Sequence, residues 1–179
     1  MAEASARDRL YPSLLDRLVD DDPGCAIEPR ENRSTTLLRL RDNVLRDLNW
    51  LFNATRPGGD LCVDELLAGT VLNYGLPALA GRPASHYDLA AVARMLREVI
   101  VRFEPRILAR SLTVRAERGG IGTETGTAAG AGAGADSRNV LAFRIEGQLW
   151  SQPMPLEIFM RTEIDLESGL TRVVETKGA

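Results

Sequence analysis

The hydrophobic period of this chain changes once, at Pro105, and that change limits the folds open to it. Ahead of the proline, Leu89, Val92, Ala93, Leu96, Val99, Ile100 and Phe103 follow one another at 3, 1, 3, 3, 1 and 3 residues. That is a helical stripe wide enough to bury. Behind the proline the period is 2. Leu112, Val114 and Ala116 alternate with Thr113, Arg115 and Glu117, and Leu141, Phe143 and Ile145 alternate with Ala142, Arg144 and Glu146. Ile158, Met160, Thr162 and Ile164 repeat the pattern, and 170–175 completes a hairpin after Glu167-Ser168-Gly169. Helices come first and strands follow, without βαβ alternation, so the expected class is α+β: three N-terminal helices packed on a four-stranded antiparallel sheet.

The first of those helices is expected from Ser34 to Asn53, with Leu37, Leu38, Val44, Leu45, Leu48, Leu51 and Phe52 on one face. Ser34 serves as N-cap and Asp42 pairs with Arg46 at i, i+4. Arg56-Pro57-Gly58-Gly59 stops it. A second helix is expected from Val63 to Tyr74, ending at Gly75 in the left-handed position, with Pro77 beyond. The third carries the stripe above, with Ser85 and Asp88 as a capping box and Pro105 as its stop. Ahead of all three, Leu14, Leu15, Leu18 and Val19 have helical spacing within 12–22. That segment either packs on its own core or is an arm that docks on a partner. The chain thus divides into an N-terminal arm, 1–33, and one α+β domain, 34–179.

Between the first two strands, 119–135 holds 7 of the 16 glycines. Its Gly130–Ala135 stretch matches GxGxxA, but that fingerprint binds pyrophosphate only where a strand feeds a helix. Here 139–146 reads as a strand, so a flexible hairpin loop is expected.

His86 is the only histidine, which excludes a multi-histidine metal site within one chain and leaves any triad a single candidate base. No serine stands in a GxSxG elbow, and the lone lysine, Lys177, precedes Gly178 rather than closing a phosphate loop. Cys25 and Cys62 form no CxxC pair. A formal charge of −3 argues against nucleic acid as a partner. No apolar run of about 18 residues would insert in a membrane, and residues 1–22 show no apolar signal region. A cytoplasmic protein without metal or cofactor is expected.

Glu104-Pro105-Arg106 breaks a local rule. A glutamate at a helix C-terminus meets the negative end of the macrodipole, which costs about 0.3–1 kcal/mol when exposed. In extended geometry Glu104 and Arg106 point to one side, about 6–7 Å apart at Cα. Such a pair either clamps opposite charges on another protein or ties helix to sheet internally. A second copy, Glu28-Pro29-Arg30, lacks the helix in front and the strand behind.

Ser13-Leu14-Leu15-Asp16-Arg17-Leu18, Arg46-Asp47-Leu48-Asn49-Trp50-Leu51-Phe52-Asn53, Val71-Leu72-Asn73-Tyr74-Gly75-Leu76-Pro77 and Phe103-Glu104-Pro105-Arg106-Ile107 occur in this order. Together they resemble the TssE baseplate subunits of type VI secretion systems, relatives of the phage wedge protein that starts the contractile sheath. Phe52, Ala54 and the 119–135 insert depart from the family pattern. The resemblance implies a structural protein, not an enzyme, that links the baseplate wedge to the first sheath ring. Its partners would be wedge proteins and sheath subunits, in a baseplate docked at the inner membrane complex. It also implies that Glu104, Pro105 and Arg106 serve assembly. Sheaths of this kind are knitted by exchanged strands, so the arm (Leu14, Leu15, Arg17) and the last strand (Leu170, Val173) are further expected contacts. The family's lysozyme-like label gives the alternative, a peptidoglycan hydrolase. Two carboxylates at glycosidase spacing can always be found among 25 acidic residues, and sugar-stacking aromatics are only 5% of the chain.

Overall fold

Two amphipathic helices lie against one face of an antiparallel meander. The computed structural model describes residues 16, 18, 24, 36–57, 67, 69–117, 139–151 and 154–176. Its elements are α1 (Leu37–Asn53), α2 (Leu89–Phe103), β1 (Thr113–Glu117), β2 (Val140–Leu149), β3 (Leu156–Asp165) and β4 (Thr171–Glu175). The strands stand in the order β1-β2-β3-β4 and every pair is antiparallel.

The alternating residues face the core as their period requires. Phe143 and Ile145 of β2, Ile158, Met160 and Ile164 of β3 and Val173 of β4 are buried, together with Val44, Leu48 and Leu51 of α1 and Leu96 and Ile100 of α2. The α1 face is narrower than expected, because Leu37 and Leu38 in its first turn are exposed. Its cap is Thr36, whose hydroxyl accepts from the Arg39 N–H at 3.3 Å, two residues inside the expected start. On α2 the cap is Asp88, bonded to the Ala90 N–H, while Ser85 sits in a 3-10 turn, Ala84–His86. No capping box forms. The expected Asp42–Arg46 pair gives way to stronger partners for Arg46, described below.

Two α-helices, not the expected three, have their bounds among the described residues, and Asp16 and Leu18 of the arm are helical as well. The expected second helix, 63–74, falls partly outside the described residues, and its described end is a 3-10 turn, Val71–Asn73. Two polar side chains explain the change. Thr70 Oγ1 and Asn73 Nδ2 both donate to the Leu67 carbonyl, at 2.8 and 2.9 Å, offering that backbone an alternative to the helical ladder. Val71 and Leu72 are consequently exposed. The arm residues of 12–22 other than Asp16 and Leu18, the Glu28-Pro29-Arg30 copy and the 119–135 loop lie outside the described residues.

Gly75 then turns the chain at φ 111°, and Leu76 donates to the Ala54 carbonyl at 2.9 Å while Arg56 donates to that of Leu76. A Cβ at Gly75 would overlap the Ala54 carbonyl. Gly75→Ala should therefore destabilise the domain by about 1–3 kcal/mol, read as a lowered midpoint in urea. An unchanged midpoint would show that this turn relaxes freely.

The far edge of β4 is not open. Its ladder to β3 uses alternate residues, leaving the N–H and C=O of Thr171 and Val173 turned outward. Asn53 accepts from the Thr171 N–H at 2.9 Å and donates to its C=O at 2.7 Å; Asn49 does the same for Val173 at 2.9 and 3.2 Å. Four residues of helix rise about 6 Å, close to the roughly 6.7 Å between alternate strand residues. Two asparagines at i, i+4 therefore meet successive outward groups, as a fifth strand would. The edge that strand exchange at Val173 would use is therefore already taken. Val173, 4% exposed, has both its side chain and its main chain engaged, whereas Leu170 is 66% exposed.

Candidate functional site

Where α2 ends, the chain does not enter the sheet directly. Glu104 caps the helix in a non-helical conformation, its N–H still bonded to the Ile100 carbonyl. Pro105 and Arg106 turn the corner, and the Trp150 N–H donates to the Arg106 carbonyl at 2.7 Å. The corner is thus fastened to the end of β2.

Arg106 reaches back over this turn. Its Nε donates to Glu104 Oε1 at 2.6 Å and its Nη2 to Oε2 at 2.5 Å, a two-pronged contact. The same Nη2 meets Asp47 Oδ2 of α1 at 2.5 Å. Asp47 Oδ1 in turn accepts from Arg46 at 3.0 Å, and Arg46 Nη1 donates to Asp16 at 2.6 Å. Asn43 also donates to Asp16, at 2.8 Å. A relay of alternating charge therefore runs Asp16–Arg46–Asp47–Arg106–Glu104, joining the arm, α1 and the end of α2.

The glutamate that the macrodipole disfavours is held by this relay. Glu104 is 4% exposed and its carboxylate is spent within the chain, which is the internal tie of the two readings. Burial alone works against a charged Arg106, but the hydrogen bonds and charges of Glu104 and then Asp47 outweigh it, holding its pKa above the ordinary value. Arg46 is raised too, first by its bond to Asp16. Both carboxylates on the corner are tied to guanidinium groups, an arrangement suited to charge pairing.

Beside the relay lies a groove of about 390 Å³, walled by Asp47, Trp50, Tyr74, Phe103, Glu104, Pro105 and Arg106. Arg46 stacks on Trp50 with its Cζ 4.9 Å from the ring centroid. Tyr74 and Phe103 meet edge to face at 5.4 Å. Burial, then the charges of Asp47 and Glu104, raise the Tyr74 phenol above its ordinary pKa. The chain has two tryptophans, and both sit at this corner. Trp50 is 50% exposed on the groove wall, and Trp150, 53% exposed, pairs its main chain with Arg106.

A family model described as baseplate wedge protein gp25 matches residues 38–154, from the first turn of α1 to just past β2. The chain belongs to the gp25 baseplate wedge family. No curated protein and no solved structure matches it. Membership in the gp25 family gives the chain a structural role of the phage baseplate wedge kind, assembled with other baseplate proteins. The matched span takes in every wall residue of the groove and leaves out β3 and β4.

Of the residues expected to meet partners in this gp25-family chain, the structure brings Glu104, Pro105 and Arg106 together. Pro105 is exposed, and Arg106 is partly so. Leu170 and Val173 lie apart from them on β4, and Leu14, Leu15 and Arg17 fall outside the described residues. Asp47, Tyr74 and the two tryptophans were not among the expected contacts. Period alone cannot tell an exposed tryptophan from a buried one, although a chain with only two offered a short list.

Proposed function

We propose that this protein is the type VI secretion baseplate subunit that joins the wedge to the first sheath ring and starts sheath assembly. On this reading it works on the cytoplasmic side, in a baseplate docked at the inner membrane complex, and catalyses nothing. The observation that supports the reading is a family match whose span contains the groove and every member of the charge relay except Asp16. The corner at Pro105 and Arg106 meets a wedge protein, and the arm residues Leu14, Leu15 and Arg17 are further partner contacts.

Strand exchange with the sheath moves from β4, whose edge at Thr171 and Val173 is taken, to β1. Leu112 turns its carbonyl outward, where Arg97 Nε donates to it at 3.2 Å. By the alternation of an antiparallel ladder, Val114 and Ala116 turn their N–H and C=O the same way. Neither has a main-chain partner on that side among the described residues. Leu170 contributes at most a side-chain contact from the other end of the sheet.

Val114→Pro tests this, because it removes an outward donor without touching the β1–β2 ladder. In cells lacking the native gene, Val114→Pro should support few or no fluorescent sheaths while its far-UV spectrum and melting temperature stay near those of the parent. Sheaths of normal number would sink the β1 assignment. Normal sheaths and secretion in the complete absence of the gene would sink the function itself.

A further inference from the structure

The groove beside Arg106 has every carboxylate oxygen already accepting a hydrogen bond and, among the described residues, three donors free. Both oxygens of Asp47 and both of Glu104 already accept from Arg46 or Arg106. Arg106 uses Nε and Nη2 for this, which leaves Nη1 without a partner among the described residues. Tyr74 Oη and Trp50 Nε1, on the same walls, are hydrogen-bonded to none of the described residues either. Whatever enters should bring acceptors.

Charge decides which kind. The groove wall carries two carboxylates, Asp47 and Glu104, against the one guanidinium of Arg106. Among the described residues, adding Arg46 and its second carboxylate, Asp16, leaves that excess unchanged. A partner carboxylate or phosphate would enter a neighbourhood that is already negative, and poorly screened because part of it is buried. The negative field is felt at Tyr74, which Asp47 and Glu104 help to keep protonated and so able to donate. A neutral oxygen suits the site better, and proteins concentrate neutral oxygens in one place above all. The last turn of a helix exposes up to four carbonyls without intrahelical partners, carrying only about half an elementary charge between them. The remaining walls, Trp50, Phe103 and Pro105, are apolar and suit a side chain from that turn.

We propose that the groove receives the C-terminal turn of a helix from another baseplate protein. Its main-chain carbonyls take the protons of Arg106 Nη1, Tyr74 Oη and Trp50 Nε1, and an apolar side chain settles between Trp50 and Pro105. This assignment rests on the reading of the corner as the wedge-docking site.

The test is the affinity of the purified protein for the co-purified complex of the other baseplate proteins of its system, at 50 and 500 mM NaCl. Tyr74→Phe, which removes one hydroxyl, should weaken binding by about three- to tenfold with its melting temperature unchanged. The parent should lose less than about threefold across the salt range, because neutral acceptors are little screened. A salt loss of tenfold or more, or an indifferent Tyr74→Phe, overturns the neutral-acceptor assignment and leaves the docking reading standing. Undiminished binding by both Trp50→Ala and Arg106→Ala, or no binding by the parent, overturns the docking reading as well.

Discussion

Arg106→Ala should melt about 5–10 °C below the parent, a loss of roughly 2–3 kcal/mol for a domain of this size. Removing one member of a buried ion pair costs about 3–5 kcal/mol because the survivor stays charged and dry. Glu104 is such a survivor, with 5% of its side chain exposed, while the 26% exposure of Arg106 admits some water and reduces the figure. The second carboxylate, Asp47, keeps Arg46 and suffers less. Replacing both partners separates the cause from general damage. Arg106→Ala combined with Glu104→Leu should recover most of the stability, since an apolar pair leaves no stranded charge. A single variant melting within a degree of the parent would show that the relay adds nothing to folding. Because the bridge is internal, loss of sheaths in Arg106→Ala cells is informative only beside that melting temperature. Tyr74→Phe is the cleaner probe of docking.

Asn49→Ala with Asn53→Ala should cost about 3–4 kcal/mol and change the oligomeric state. The two amides make four hydrogen bonds to β4, each worth about 0.5–1.5 kcal/mol net. Their loss also leaves the main-chain groups of Thr171 and Val173 facing outward beside an alanine surface. An exposed edge of that kind pairs with another chain, so light scattering should show dimers or larger species at concentrations where the parent is a single species. A double variant that is monomeric and as stable as the parent would mean that water replaces the amides at no cost.

The strands were legible because a half-buried antiparallel sheet has a period of 2 that little else imitates, and Phe143, Ile145, Ile158, Met160 and Ile164 all face the core as alternation demands. Helix α2 was legible for the same reason. The described end of the expected helix before Gly75 is a 3-10 turn because the side chains of Thr70 and Asn73 compete for the backbone there, and a hydrophobicity pattern carries no record of side-chain hydrogen bonds. Gly75 itself was read correctly as a positive-φ position, though it follows a 3-10 turn and faces the Ala54 carbonyl. At the site, the anomaly of a glutamate at a helix end pointed to the right tripeptide, and to a choice between an internal tie and an external clamp. The choice turned on Asp47, 59 residues away from Arg106 in sequence, and no spacing argument reaches that far. The asparagines left a fainter trace: two poor helix formers, four apart, inside a helix that otherwise has no need of them.

That pairing of Asn49 and Asn53 with β4 also sets an order of events during synthesis. The bonds join residues 118 and 124 apart, so α1 leaves the ribosome long before the strand that completes it. Until Thr171 and Val173 emerge, its amides and the apolar flank beside them stand uncovered, and non-local contacts of this range close slowly. Ribosomes stalled before residue 170 would hold a nascent chain whose meander is partly made and whose first helix still lacks its strand, the state most open to capture by chaperones.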